Sequence, residues 1–163
     1  MGRVGFKPSL WGKLKRWGNF NTIKERGEWV ELLFMALAAS RGYHVLKPWG
    51  DSLAYDIGVV HKHGMIRVQI KSTSARKGGG YLCRLRHGGR GEQRYHPDDV
   101  DLFAVYIVPV AAWYLIPASD VLIPTPKMHL TFYPKGPPRP GRHKHEHDYE
   151  RYREAWGQLA KPR

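Results

Sequence analysis

A chain of 163 residues, 42% hydrophobic and with six tryptophans, has the length and apolar content of one folded domain, which excludes general disorder. Its single cysteine, Cys83, excludes an intrachain disulfide and a cysteine-built zinc site, and no apolar run reaches the roughly 18–20 residues of a membrane span. The 27 Lys and Arg outnumber the 14 Asp and Glu, giving a net charge of +13, which points to nucleic acid ahead of a membrane surface or an acidic protein as partner.

Residues 1–21 read as a basic, Gly-interrupted arm with Trp11 and Trp17 as anchors; residues 1–24 hold six basic side chains and no acid. No apolar stretch of signal-peptide type follows, so a cytoplasmic protein is the default expectation. A helix then starts near Thr22, where Thr22-Ile23-Lys24-Glu25 fits a capping box, and Gly42 ends it. Trp29, Leu32, Leu33, Ala36 and Leu37 carry its apolar rhythm, while Glu28 and Glu31 sit one turn apart off that stripe. Tyr43 to Leu46 reads as a strand stopped by Pro48.

Residues 54–73 (AYDIGVVHKHGMIRVQIKST) predict a hairpin around the turn His61 to Gly64. Pairing Val60 with Met65 sets Ile57 opposite Val68 and Val59 opposite Ile66 on an apolar face. On the other face Asp56 meets Gln69, with Lys71 two residues further; directly opposed side chains lie roughly 5 Å apart. A carboxylate, an amide and an ammonium brought together in this way can hold a divalent cation and a water beside a phosphate.

A Gly-rich basic loop, Ser74 to Gly80, precedes a strand at Tyr81–Leu85, and a second Gly/Arg loop runs through 87–94. Asp101 to Val108 is a near-continuous apolar run, as in a strand buried on both faces. Ala112 to Ile116 reads as a further strand and Val121–Ile123 and Leu130–Tyr133 as edge strands; Asp98, Asp99 and Asp101 form an acidic cluster in which Pro97-Asp98-Asp99 reads as a turn or cap before the buried strand. Residues 134–145 form a basic Pro/Gly linker, and a final helix from about Asp148 carries Tyr149, Tyr152, Trp156 and Leu159. His143, His145 and His147 lack the spacing of a structural zinc site. Tyr81, Tyr95 and Tyr106 read as packing residues.

The order helix, strand, then a hairpin carrying Asp…Gln-x-Lys resembles the PD-(D/E)XK nuclease superfamily. The residues concerned are Gly27-Glu28, Tyr55-Asp56 and Gln69-Ile70-Lys71. The wording RGEW…GYHVLKPWGDS…YDIGVV…IRVQIKST is similar to its small endonuclease-type members, those linked with group I introns and the relatives of junction resolvases. The resemblance implies an α/β fold, a restriction-endonuclease-like core with a mixed central β-sheet flanked by helices. It covers roughly residues 22–117 of a domain that spans 22–133, with the linker and C-terminal helix of 134–163 packing on that domain.

It also implies Mg²⁺-dependent hydrolysis of DNA phosphodiester bonds, with Mn²⁺ as substitute. Asp56 would be the principal ligand, Gln69 and the Ile70 backbone carbonyl further ligands, and Glu28, with Glu31 second, would approach from the helix. Lys71 would orient the attacking water and stabilise developing charge. Most of the superfamily has an acid at the place of Gln69. The alternatives are therefore a non-catalytic nucleic-acid-binding module on this fold, or a resolvase of branched DNA. Ser72, Thr73, Arg76, Lys77, Arg84, Arg86, Arg90 and Arg94 are the expected DNA contacts, any of the arginines being able to read a base edge. Because one site cuts one strand, duplex cleavage calls for a homo-oligomer, a dimer or tetramer.

Overall fold

The computed structural model describes residues 20–50, 52–86, 94–134 and 148–160. The first element is helix α1 (Ile23–Ser40), and it begins as its sequence dictates. Thr22 accepts a hydrogen bond from the Glu25 backbone N–H at 3.1 Å while the Glu25 carboxylate accepts from the Thr22 N–H at 3.2 Å. Val30, Phe34, Leu37 and Ala38 form its buried stripe.

Five strands make the main sheet: β1 (His44–Leu46), β2 (Ile57–His61), β3 (Gly64–Thr73), β6 (Leu102–Ile107) and β7 (Ala112–Pro117), in the order β1-β2-β3-β6-β7. The β3–β6 pair is parallel and the others are antiparallel, which gives the mixed sheet expected. The hairpin register is the one predicted, Ile57 with Val68, Val59 with Ile66 and Val60 with Met65. All six residues of β6 are buried. Its entry is pinned by Asp101, whose carboxylate accepts from the Arg67 backbone N–H at 2.8 Å and from the guanidinium at 2.9 Å. The Asp101 N–H answers with a bond to the Arg67 carbonyl at 2.9 Å. Asp101 thus ties the start of β6 to β3.

Helix α1 covers one face of this sheet through Val30, Phe34 and Leu37 on Ile57, Val68 and Leu115. A second sheet covers the other face over β6 and β7. It consists of β4 (Arg76–Lys77), β5 (Gly80–Arg84) and β8 (His129–Phe132), in the order β4-β5-β8. Tyr81, Cys83, Leu130 and Phe132 point from it into the core against Phe103, Val105 and Tyr114. That second layer stops short of the β2–β3 hairpin, whose polar face is left facing a cavity.

Two elements differ from expectation. Val121–Ile123 is not an edge strand: Ser119–Leu122 forms a single helical turn that buries Val121 and Leu122. A short apolar run flanked by prolines does not distinguish the two by periodicity. The expected final helix is instead two 3₁₀ turns, Asp148–Tyr152 and Trp156–Ala160. Glu154 between them adopts a left-handed backbone (φ 51°), and its carboxylate accepts from the Trp113 N–H at 2.8 Å and the Trp156 indole at 2.9 Å. Packing onto β7 thus overrides helical continuity, while Tyr149, Tyr152, Trp156 and Leu159 are buried as predicted. The arm up to residue 19, Arg90, the linker beyond Pro134 and His143, His145 and His147 lie outside the described residues.

Candidate active site

Asp56 sits one residue before β2, and its N–H bonds the Val68 carbonyl at 3.0 Å, so the ladder carries it opposite Gln69. Its Oδ2 accepts from the Gln69 Nε2 at 2.6 Å and from the Ile70 N–H at 2.7 Å. The Gln69 nitrogen also donates to the Ile70 carbonyl at 3.2 Å. Lys71, on the same face, donates to the Arg86 carbonyl at 3.0 Å and stands 5.3 Å from the centre of the Tyr95 ring. Asp56, Gln69, Lys71 and Tyr95 line a cavity of about 750 Å³ together with Lys24, Glu28, Glu31, Lys47 and Arg86.

Electrostatics follow from this enclosure. Burial pushes the Asp56 carboxyl up to about 6; the Glu31 charge adds to the rise, and the Ile70 N–H, Lys71 and Lys47 oppose it. Burial also lowers the Lys71 ammonium, against the opposing pull of Asp56. Perturbed groups of opposite charge, facing each other in a cleft, are the arrangement proton-transfer chemistry uses. Cys83 behind Lys71 is raised by burial to about 12, so it stays a thiol.

The two helix carboxylates are placed differently. Glu28 is exposed and lies 4.0 Å from Lys24. Glu31 is half-buried, ion-paired with Lys47 at 2.6 Å, and its charge is felt by both Asp56 and Lys71. The deeper carboxylate is therefore Glu31, which the sequence motif ranked second.

A divalent cation of the kind the fold implies prefers oxygen donors. Among the described residues no three His, Cys, Asp or Glu side chains cluster as a ready-made metal site. The donors present are the Asp56 carboxylate, the Ile70 carbonyl and the Gln69 amide, all of which are hard enough for Mg²⁺ or Mn²⁺, so the residues fit. In this structure Gln69 turns its nitrogen, not its oxygen, toward Asp56. The –NH₂ group thereby donates to both the Asp56 carboxylate and the Ile70 carbonyl, two of the groups that would hold a cation.

Of the expected DNA contacts, Arg76, Lys77, Arg84 and Arg94 are exposed and Arg86 is half-buried in the cavity wall. Thr73 is buried, and its hydroxyl donates to the Leu82 carbonyl at 2.6 Å and accepts from the Ala75 N–H at 3.1 Å. That hydroxyl ties β3 to β5, and its one O–H is used in doing so. Ser72 accepts from Arg26 Nε at 3.2 Å, and Ser74 accepts from the same guanidinium at 3.3 Å. Arg26 and Lys47 are cations that sequence reading missed; the only prior signal for Arg26 was its place beside Gly27-Glu28.

A family model described as PD-(D/E)XK endonuclease matches residues 21–153. Among solved structures the chain is similar to a bacterial homing endonuclease, I-Ssp6803I. The two are 23% identical, with a TM-score of 0.68, over 85% of this chain and 93% of that one. This likeness concerns the fold. No curated protein matches the chain.

Proposed function

Since the chain belongs to the PD-(D/E)XK endonuclease family, we propose that it is a Mg²⁺-dependent DNA endonuclease whose site is the Asp56–Gln69–Ile70–Lys71 cluster. The observation that carries this reading is the convergence of the Asp56 carboxylate and the desolvated Lys71 ammonium on one wall of a cavity lined with cations. Asp56, the Ile70 carbonyl and the Gln69 amide oxygen would hold the ion, with Glu31 or Glu28 completing the set from α1. Such an ion, when bound, neutralises charge on the phosphoryl oxygens and lowers the pKa of water.

The remaining work falls to the chain itself. Lys71, held by the Arg86 carbonyl, is oriented to hydrogen-bond the attacking water and to stabilise negative charge as it develops on the phosphorus oxygens. Arg86 adds positive charge at the cavity wall, where Lys47 lies paired with Glu31. Arg76, Lys77 and Arg94 supply sequence-independent backbone contacts, with Arg84, Arg90 and Ser72 as further DNA contacts of the same proposal. Duplex cleavage would require a homodimer or higher symmetric assembly, and the cytoplasmic setting belongs to the same reading. Among the described residues no helix is long and apolar enough to cross a membrane.

A second reading, a non-catalytic binding module, draws on the Gln69 nitrogen facing Asp56. Incubating supercoiled, linear and four-way-junction DNA with Mg²⁺ or Mn²⁺ separates the readings and tests the resolvase alternative. Asp56→Ala is expected to abolish metal-dependent nicking and to leave DNA retention in a filter assay nearly unchanged. Tight binding with no nicking in either metal by the parent protein would sink the enzyme.

A further inference from the structure

The outward face of the second sheet lies beside the cavity and is ordered in a way that a merely solvated face has no need to be. Side chains alternate along β5, so Tyr81 and Cys83 enter the core while Leu82 and Arg84 point out. Across the β5–β8 ladder Leu82 meets Thr131 and Arg84 meets His129 directly. Lys77 on β4 meets Gly80. Beyond β5 the Leu85 N–H still bonds the Met128 carbonyl at 2.9 Å, which keeps Arg86 on the side of Arg84. Lys77, Leu82, Arg84, Arg86 and His129 line one concavity of about 310 Å³. Arg86 also lines the catalytic cavity, and its carbonyl holds Lys71.

We infer that this face docks in a groove of duplex DNA and that Arg84, with His129 opposite, reads base edges close to the cleaved bond. The inference rests on the endonuclease reading for its substrate. The order of side chains supports base reading over simple charge attraction. Cations stand at the ends, Lys77 and Arg86, where they suit phosphates. The middle carries an apolar side chain, a methyl-bearing hydroxyl and the Arg–His pair, the repertoire that distinguishes thymine methyls and guanine edges. A uniformly phosphate-binding face would be cationic throughout.

Scale agrees as well. A narrow antiparallel ribbon fits the major groove, which is about 12 Å wide. With a strand rise of about 3.3 Å per residue, Arg84 lies roughly 7 Å and Leu82 roughly 13 Å from Arg86. Against the roughly 3.4 Å spacing of phosphates along each DNA strand, Arg84 falls about two base pairs from Arg86 and Leu82 about four.

The test is selection of bound duplexes from a randomised pool, with Ca²⁺ in place of Mg²⁺ so that no cleavage is needed. The parent is expected to enrich a short block that includes a guanine. Arg84→Lys keeps the charge but loses the bidentate fork, so preference at one position in the block should fall about tenfold or more while total affinity falls about threefold at most. His129→Ala should relax a neighbouring position, and Lys77→Ala should weaken all sequences alike and reduce the salt slope by about one. No enriched block, an Arg84→Lys profile identical to the parent's, or parental binding by Arg84→Ala and His129→Ala together would each overturn the inference. A block that Arg84→Lys erases, in a protein that never nicks, would uphold this inference and remove the enzyme reading alone.

Discussion

At the scale of single residues the site trades stability for chemistry at Asp56. Its folded-state carboxyl is raised from 3.8 to about 6, so between those values the folded chain binds more protons than the unfolded one. Stability from this group is therefore greatest at low pH and is lost as pH rises through about 6. By neutral pH the ionised carboxylate costs about 3 kcal/mol. Asp56→Asn keeps an oxygen acceptor for the Ile70 N–H and removes the charge. In a chelating buffer at pH 8 it is expected to melt several degrees above the parent, a gap that closes as pH falls toward 4. A constant gap across that range in a pH series of thermal melts would mean that Asp56 is not the strained group. Gln69 poses the complementary question, because a carboxylate there would lie within hydrogen-bond distance of Asp56 Oδ2. Gln69→Glu is expected to lower the metal-free melting temperature by like-charge repulsion and to tighten Mn²⁺ binding about tenfold in calorimetry. Tighter binding without the metal-free loss would show that the amide nitrogen does not stabilise Asp56.

Among the elements, the second sheet depends on one close approach. A Cβ added at Gly80 would lie 2.6 Å from the Phe132 carbonyl oxygen and 2.8 Å from the Tyr133 ring. The oxygen belongs to the backbone ladder and cannot swing away, so Gly80→Ala is expected to cost about 1–3 kcal/mol in urea unfolding. The proposed groove-reading face would be displaced with it, so DNA selectivity should suffer more than metal binding. Unchanged stability would mean that β5 and β8 slide apart without penalty. This sheet also marks how far the sequence could be read. The hairpin register and the burial of β6 follow from local alternation and apolar runs, and both are as predicted. The capping box likewise rests on residues three apart. The pairing of β5 with β8 joins segments separated by the whole of β6 and β7, and no local pattern encodes it. The same holds for Arg26 reaching Ser72 and for Glu154 folding the C-terminal turns onto Trp113, both contacts across distant sequence. Within the candidate site, Asp56, Gln69 and Lys71 were readable because one hairpin presents all three. The ranking of Glu28 over Glu31 was not, since it depends on how α1 rotates against the cavity.

For the whole molecule, the 27 Lys and Arg are more than the cations available to a nucleic acid. Lys47 is held by Glu31, Arg67 by Asp101, Arg151 by Asp120 and Arg153 by Glu150. Cations held in pairs bring no phosphate and release no counterions. Among the described residues, the proposed phosphate contacts are Arg76, Lys77, Arg86 and Arg94, with Arg84 assigned to a base. Each neutralised phosphate contributes about −0.9 to the slope of log affinity against log salt, so four give about −4 for one copy and about −7 for two. Read together with the mass of the complex, the slope reports how many copies of the chain engage one duplex. Titrating a labelled duplex with the Asp56→Ala protein over a range of salt, and measuring the mass of the complex by light scattering, tests both numbers together. A symmetric pair that cuts both strands predicts two chains per duplex and the steeper slope. One chain with the shallower slope would restrict the enzyme to nicking. A slope shallower than about −2 would mean that the basic face does not lie on the DNA backbone at all, and the proposed orientation of the cavity toward its substrate would fall with it.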